Sequence, residues 1–221
     1  MPELQAGDLV FVKNHVTGWR TTSRWLISFL IRHMSTQHGE GPTFANHVCT
    51  VHGPHKVWRG GGFVVEDYAI YEAMGRDGFC KRWLREQYEN GHTDIVVYRD
   101  TTLTNKDRIR VKACHVHLRG KRYPKTLIGA HSIDYGATKL WQSMGGTGEC
   151  RAARWLYHQF VNRKQNVDYP MCSWAVGYMW DVWLKRPFSI GYKVATPDDL
   201  MDECQDNDKW QRVFTYRKQE G

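Results

Sequence analysis

The stretch that decides the fold is Tyr169–Trp180, which reads YPMCSWAVGYMW. The residue before a proline is kept out of the helical region, whereas proline itself fits the first turn of a helix. The stretch therefore predicts an extended segment followed by a helix with Cys172 in its first turn. An apolar stripe then recurs at helical spacing and predicts the face that packs inward. Its members are Cys172, Ala175, Val176, Met179 and Trp183.

Cys172 has two interpretations at this position. Backbone N–H groups in a first turn lack partners within the helix, and the helix dipole favours negative charge there. A thiol so placed has a lowered pKa, and its thiolate is a nucleophile. Unpaired cysteines are also buried as small apolar residues, in which case Cys172 would only head the core stripe.

Length and composition predict a folded protein without a membrane-spanning helix. The 221 residues suit a single domain over 1–221, and ten tryptophans, eleven tyrosines and eight phenylalanines argue against disorder. The chain has no run of about 18 apolar residues, the length that a transmembrane helix needs. Its first residues, MPELQ, lack the basic and apolar regions of a secretory signal, so we expect a cytoplasmic location.

The net charge bears on the partners of the protein, and the cysteines bear on its redox state and on metal binding. A net charge of +8 suits an anionic partner, and nucleic acid, anionic lipid and cell-wall polymer all fit it. No motif predicts specific binding of nucleic acid. The six cysteines form no CxxC pair and are expected to be reduced. The run Cys114–His117 resembles metal-ligand material, but no second pair completes a zinc set. We therefore expect neither a metal nor a cofactor.

Strand patterns dominate the first half of the chain and helical patterns the second, which predicts an α+β fold with a largely antiparallel sheet. The predicted strands are Gly7–Lys13, Asn46–His52, Phe63–Glu66, Ala69–Met74, Thr93–Arg99 and Trp210–Tyr216. The predicted helices are Thr22–Met34, Phe79–Tyr88, Thr104–Leu118, Gly148–Lys164, the Cys172 helix and one opened by Pro197. Residues 119–131 are predicted to form a loop insertion.

The predicted helices Thr104–Leu118 and Gly148–Lys164 each carry an apolar stripe. In the first of these two helices, Thr104 with Asp107 predicts a capping box at the N-terminus. Its expected inner face is Ile109, Ala113 and Val116, and the stripe of the second is Ala152, Trp155, Leu156 and Phe160.

A cysteine nucleophile needs a base within hydrogen-bonding distance and a third group that orients the base. His47 begins a predicted strand, where it shares a face with Cys49 and Val51. Glu72 lies on another strand between Ile70 and Met74, so a carboxylate is expected on an apolar face. A buried carboxylate needs a partner, and an imidazole N–H would supply one. Each residue also fits a purely structural role.

The order of the motifs carries a family resemblance over nearly the whole chain, from Gly7 to about Leu200. These are the Gly7-Asp8 strand, Asn46-His47-Val48, Tyr71-Glu72-Ala73, a strand ending at Arg99, Ile133-Asp134-Tyr135, Met171-Cys172-Ser173 and Thr196–Leu200. The order resembles the circularly permuted branch of the NlpC/P60 papain-like superfamily, which includes YiiX/YaeF-like and lecithin:retinol-acyltransferase-like proteins. In that branch the histidine strand precedes the cysteine helix.

The resemblance implies a papain-like fold, in which an antiparallel sheet packs against helices and the cysteine lies at a helix N-terminus. It implies a catalytic site in which Cys172 is the nucleophile, His47 the general base and acid, and Glu72 the orienting group. Tyr135, Ser173 and Trp174 would line the site. Where the family has a tyrosine–aspartate pair and an acidic residue after the serine, this chain has Ile133-Asp134 and Trp174.

The function expected from the resemblance is hydrolysis of an amide bond through a thioester, in a cell-wall peptide or an amino-acid conjugate. A lipid acyl hydrolase or acyltransferase of the same fold is the second hypothesis, with residues 24–34 as its expected membrane-surface helix. The third is a binding or structural module without catalysis, for example in a phage particle. A phage-encoded or virion-associated protein is therefore a second expectation for the location.

Overall fold

A computed structural model describes residues 3–14, 45, 47–59, 63–74, 77–89, 93–122, 137, 140–147, 150–153, 155–156, 172–192 and 195–217. The predicted helix at 22–34 and residues 123–131 of the predicted insertion lie outside these ranges, as does Tyr135.

A six-stranded antiparallel sheet forms the centre of the described structure. Its strands are β1 (Leu9–Asn14), β2 (His47–Arg59), β3 (Phe63–Met74), β4 (Gly78–Trp83), β5 (Thr93–Asp100) and β6 (Trp210–Tyr216). Their order across the sheet is β4-β3-β2-β1-β5-β6. The helices with both ends described are α1 (Leu84–Tyr88), α2 (Asn105–Leu118), α3 (Cys172–Tyr178) and α4 (Pro197–Asp206). The predicted α+β class and antiparallel sheet are confirmed.

Strand β2 is longer than the predicted Asn46–His52 strand and continues through Gly53-Pro54 to Arg59. Among the described strands, residues 47–50 of β2 pair with β1, whereas the part from Gly53 onward pairs with β3 alone. Proline cannot donate to a ladder and is tolerated at sheet edges and bulges. Pro54 therefore lies on a locally unpaired side of β2, just after a shift of register at Val51/Gly53.

Strand β3 is also longer than predicted, because Asp67 does not interrupt it. The Asp67 side chain is buried, and its Oδ1 accepts the backbone N–H groups of Tyr68 (2.6 Å) and Arg85 (3.1 Å). Arg85 belongs to the first turn of α1, where N–H groups lack partners within the helix. A residue expected to break a strand thus caps a neighbouring helix.

The predicted helix over Phe79–Tyr88 is wrong in its first half, which forms strand β4. Residues of β4 pair with β3 from Ala69↔Trp83 to Met74↔Gly78. A short apolar run does not distinguish strand from helix by its period alone, and here the exposed ladder of β3 decides the outcome. Only Leu84–Tyr88 is helical.

Helix α2 begins with the predicted capping box between Thr104 and Asp107, but it buries a different face from the predicted one. Ile109 and Val116 are 68% and 66% exposed, and Ala113 is exposed as well. The buried residues at helical spacing are Val111, Cys114, His115 and Leu118. The prediction failed because a histidine was counted as polar, whereas His115 finds hydrogen-bond partners inside the protein.

The helix that begins at Cys172 is buried on every side from Cys172 to Trp180. The predicted inward stripe is therefore confirmed for Cys172, Ala175, Val176 and Met179, although it is only part of the buried surface. A π-helical turn, Met179–Leu184, continues α3, and the left-handed conformation of Lys185 ends it before Pro187. This helix packs in the same apolar cluster as Val48 and Tyr71, on one face of the sheet.

Residues 151–153 and 155–156 are helical, in agreement with the prediction for this region. Their apolar stripe is not buried, however, because Trp155 and Leu156 are each 60% exposed and Ala152 is exposed. Phe160 lies outside the described residues. Within the described ranges, no helix has the length and apolar character needed to cross a membrane.

A glycine at the start of β4 gives the first testable prediction. Gly78 has φ +65°, and a Cβ there would lie 2.1 Å from the backbone oxygen of Lys121. We expect Gly78→Ala to lower the free energy of unfolding by about 2–4 kcal/mol, since it adds a backbone clash to a strained φ. Gly120 is a matched control, with φ +80° and nothing within 4 Å of its Cβ position. Denaturant titration should show a loss of about 1 kcal/mol for Gly120→Ala; equal losses would contradict the clash.

Candidate active site

The three side chains singled out in the sequence lie in contact. His47 Nε2 is 2.8 Å from Glu72 Oε2, and the His47 side chain is hydrogen-bonded to the Cys172 thiol. Because Nε2 faces Glu72, the nitrogen available to the sulfur is Nδ1. The imidazole therefore lies between a thiol and a carboxylate, which is the arrangement that an activated cysteine needs.

The sheet register explains how His47 and Glu72 meet. Thr50 pairs with Tyr71 between β2 and β3, and continuing this register places Cys49 opposite Glu72. His47 is then the diagonal neighbour of Glu72 on the same face of the sheet. Long side chains bridge such diagonal pairs. His47 is also the first residue of β2, so its ring lies at the margin of the sheet, where Cys172 of α3 reaches it.

Backbone groups complete the surroundings of the sulfur. The backbone N–H groups of Val48 and Ser173 donate hydrogen bonds to Cys172, in addition to the bond with His47. Cys172 is only 4% exposed. Hydrogen bonds to a charged group favour its charged form. The site therefore supplies three stabilising contacts to a thiolate.

The protonation equilibria of His47 and Cys172 are shifted toward an ion pair. Burial alone would lower the pKa of His47, but hydrogen bonding and charge interaction with Cys172, followed by those with Glu72, raise it from 6.5 to about 10. Burial alone would raise the pKa of Cys172, yet its contacts with His47 and the two backbone N–H groups hold that pKa below 9.0. Both shifts favour the charged form of the group, and they therefore favour an imidazolium beside a thiolate.

Glu72 is buried, as the sequence predicted, at 1% exposure. Its Oε2 accepts hydrogen bonds from both His47 Nε2 and the Tyr88 hydroxyl. Its Oε1 is buried and has no hydrogen-bond partner among the described residues. The carboxylate is thus held at one oxygen, by two donors from different elements.

Tyr88 is a neighbour of the site that the sequence did not reveal. It ends α1 and is 3% exposed, and burial together with the charge of Glu72 raises its pKa well above 10. Its hydroxyl therefore remains a donor. The predicted helix did include Tyr88, but the strand–helix break at Trp83 sets the direction of its side chain, and no local pattern indicated that break.

The predicted lining residues have separate environments. Ser173 is buried and contributes its backbone N–H to the sulfur. Trp174 is 4% exposed and stacks on Tyr178, with ring centroids 4.9 Å apart, while Tyr192 meets it edge-on. These contacts fix Trp174 within an aromatic cluster of α3. Its role and that of Tyr135 in lining a site stay predictions.

Asp198, at the start of α4, holds the chain just before His47. Its Oδ1 accepts the backbone N–H of Ala45 at 3.0 Å, and both residues are buried. Helix α4 begins with a Thr196/Asp199 capping box, which fixes the position of Asp198. The Thr196–Leu200 motif thus contacts Ala45, which precedes the first residue of β2 by two positions in the sequence.

This contact yields a second prediction. We expect Asp198→Ala to destabilise the protein by about 1–3 kcal/mol, because a buried N–H loses its acceptor. Alkylation of Cys172 should slow as well, since the start of β2 carries His47. Asp198→Asn keeps an acceptor oxygen and should lose much less in both thermal denaturation and alkylation assays. Equal losses in the two variants would assign the effect to the charge of Asp198 instead.

Within the Cys114–His117 run, His115 takes part in a hydrogen-bond network with strand β2. His115 Nε2 lies 2.7 Å from Thr50 Oγ1, and His115 Nδ1 lies 3.0 Å from His52 Nδ1. Burial, followed by the charges of His52 and Lys112, holds the pKa of His115 well below 6.5. A neutral imidazole can both donate and accept, which this network requires. In the part of the chain that is described, no group of three or more His, Cys, Asp or Glu side chains could hold a metal ion.

Comparison with known proteins gives no assignment. No family model, curated protein or solved structure matches the chain. The fold and the contacts of Cys172, His47 and Glu72 therefore carry the functional argument.

Proposed function

We propose that this protein is a thiol hydrolase, a cysteine peptidase or amidase with a permuted papain-like fold. The observation that carries the proposal is the continuous chain of contacts from the Cys172 thiol through His47 to the buried Glu72. Perturbed pKa values with specific partners are typical of functional sites. A cysteine that only filled the core would have no need of a charged imidazole.

In the proposed mechanism the Cys172 thiolate attacks the carbonyl carbon of an amide. The carbonyl oxygen takes the negative charge, for which the backbone N–H of Cys172 is the expected donor. The His47 imidazolium protonates the leaving amine as the C–N bond breaks, which leaves a thioester and a neutral imidazole. That imidazole then removes a proton from water, which attacks the thioester; the C–S bond breaks and releases the carboxylic acid and the Cys172 thiolate, so the imidazolium–thiolate pair is restored. Glu72 keeps His47 oriented throughout.

The proposed substrate is an amide bond in a cell-wall peptide or a related amino-acid conjugate. This choice follows the motif order of the NlpC/P60-like proteins and is consistent with a net charge of +8, which favours anionic polymers. Peptidoglycan fragments incubated with the protein should release new amines, and a covalent acyl-enzyme on Cys172 should be trapped by mass spectrometry. Cys172→Ala should abolish both, whereas Cys204→Ala should leave both intact; amine release by Cys172→Ala would refute the mechanism.

A lipid acyl substrate is the second candidate, because apolar side chains are exposed in one region of sequence. Five large apolar residues are exposed within 140–156: Leu140 61%, Trp141 44%, Met144 68%, Trp155 60% and Leu156 60%. Exposed apolar patches mark interaction or membrane surfaces. Fatty acid release from anionic liposomes, dependent on Cys172, would favour this candidate over the amidase.

A further inference from the structure

Tyr88 and Glu72 form a contact that the proposed mechanism does not use. The Tyr88 hydroxyl donates to Glu72 Oε2, the same oxygen that faces His47 Nε2. Tyr88 comes from α1 and Glu72 from β3, so the contact joins two elements. A buried carboxylate is costly unless hydrogen bonds stabilise it, and these are the two donors that reach this oxygen among the described residues.

Tyr88 itself is held in place from two directions. Asp67 of β3 caps the first turn of α1 through the Arg85 N–H, at 3.1 Å. At the other end, the Thr93 hydroxyl donates to the backbone oxygen of Tyr88. The ring is 3% exposed and packs in the apolar cluster with Cys49, Ile70 and Leu84. A phenol fixed this firmly restricts the position of the carboxylate that it binds.

We propose that Tyr88 is a positioning residue of the active site, which holds the Glu72 carboxylate aimed at His47. The inference rests on the proposed function, since it assigns Tyr88 a role in the same thiol chemistry. Tyr88 touches neither substrate nor sulfur in this role. It acts through Glu72, and Glu72 acts through His47. The site is then a line of four side chains, Tyr88, Glu72, His47 and Cys172.

The direction of the effect follows from the hydrogen bond. Without the phenol O–H, Glu72 Oε2 loses the donor that holds it in place beside His47 Nε2. The carboxylate can then turn away, and His47 loses part of the negative charge that stabilises its imidazolium. The imidazolium then loses its proton at a lower pH. A packing role would change stability but would not change where this proton is lost.

The test uses iodoacetate on the full chain, with the rate at Cys172 followed by peptide mass spectrometry across a range of pH. The His47 imidazolium attracts the iodoacetate carboxylate, so the rate falls at alkaline pH as the imidazolium loses its proton, and this fall is the alkaline limb of the profile. We expect Tyr88→Phe to move the alkaline limb of the rate profile to lower pH by about half a unit or more. Tyr71→Phe is the matched control, because Tyr71 is a buried tyrosine next to Glu72 on the opposite face of β3. It should leave the limb unchanged.

A double-mutant cycle separates positioning from packing. If Tyr88 acts through Glu72, Tyr88→Phe should produce no further shift in a Glu72→Gln background.

If Tyr88→Phe folds poorly, Asp67→Ala tests the same positioning role. It removes the cap of α1, the helix that carries Tyr88, and should shift the limb in the same direction. An alkaline limb that stays in place or moves to higher pH in these variants overturns the inference. Failure of the proposed function looks different, since the wild-type Cys172 would then show no enhanced reactivity at all.

Discussion

Replacing His47 with alanine is expected to slow alkylation of Cys172 by at least about tenfold near pH 6, because only the thiolate reacts. In the wild type, His47 holds the pKa of Cys172 below 9.0. Removing the imidazole leaves a buried thiol, and burial raises the pKa of a thiol. The rate in the variant should then rise about tenfold per pH unit over the neutral range, whereas the wild-type rate should change little.

A second histidine of the same strand provides the control. His55 lies on β2, eight residues after His47, and is exposed and stacked on Trp83. His55→Ala should leave the rate and its pH dependence at wild-type values. If His47→Ala and the wild type react alike at every pH, His47 has no part in activating the thiol. The measurement needs no substrate, so it can precede any identification of one.

Consider the rate of alkylation of Cys172 by iodoacetate plotted against pH. Replacing Glu72 with glutamine should shift the alkaline limb of this profile to lower pH by about one unit or more. The amide retains the shape of the side chain but not its charge, and that charge contributes to raising the pKa of His47 to about 10. The sign follows directly: a weaker counter-charge lets the imidazolium lose its proton earlier as the pH rises. Hydrolysis of an amide substrate should fall by about a hundredfold, as expected when general acid catalysis is impaired.

Glu66→Gln is the matched control for this variant. Glu66 lies on β3, six residues before Glu72, and is exposed. Loss of its charge should leave both the limb and the hydrolysis unchanged. A Glu72→Gln protein whose limb coincides with that of the wild type would show that the carboxylate does not stabilise the imidazolium.

The sequence was informative wherever the determining interactions are local. The capping box at Thr104 and the helix opened by Pro197 depend on residues within one turn, and both are present. Glu72 could be placed on an apolar face because side chains alternate along a strand, and it is buried. The contact of Glu72 with His47 depends on the register of two strands, which the sequence does not state.

The predictions failed where distant residues decide. Phe79–Trp83 became a strand because β3 offers a ladder, and Asp67 remained in β3 because its carboxylate caps α1. His115 is buried because Thr50 and His52 of β2 bind both of its ring nitrogens. In each case the residue forms its hydrogen bonds with an element that is far away in sequence.

The most direct test of the central claim is an ultraviolet titration of the thiolate, taken as the difference between the wild type and Cys172→Ala. The account predicts that thiolate absorbance persists well below the ordinary thiol pKa of about 8.5, and that it disappears from this range in His47→Ala. Thiolate absorbance that appears in the wild type only above that ordinary pKa would contradict the ion pair, and with it the proposed thiol hydrolase.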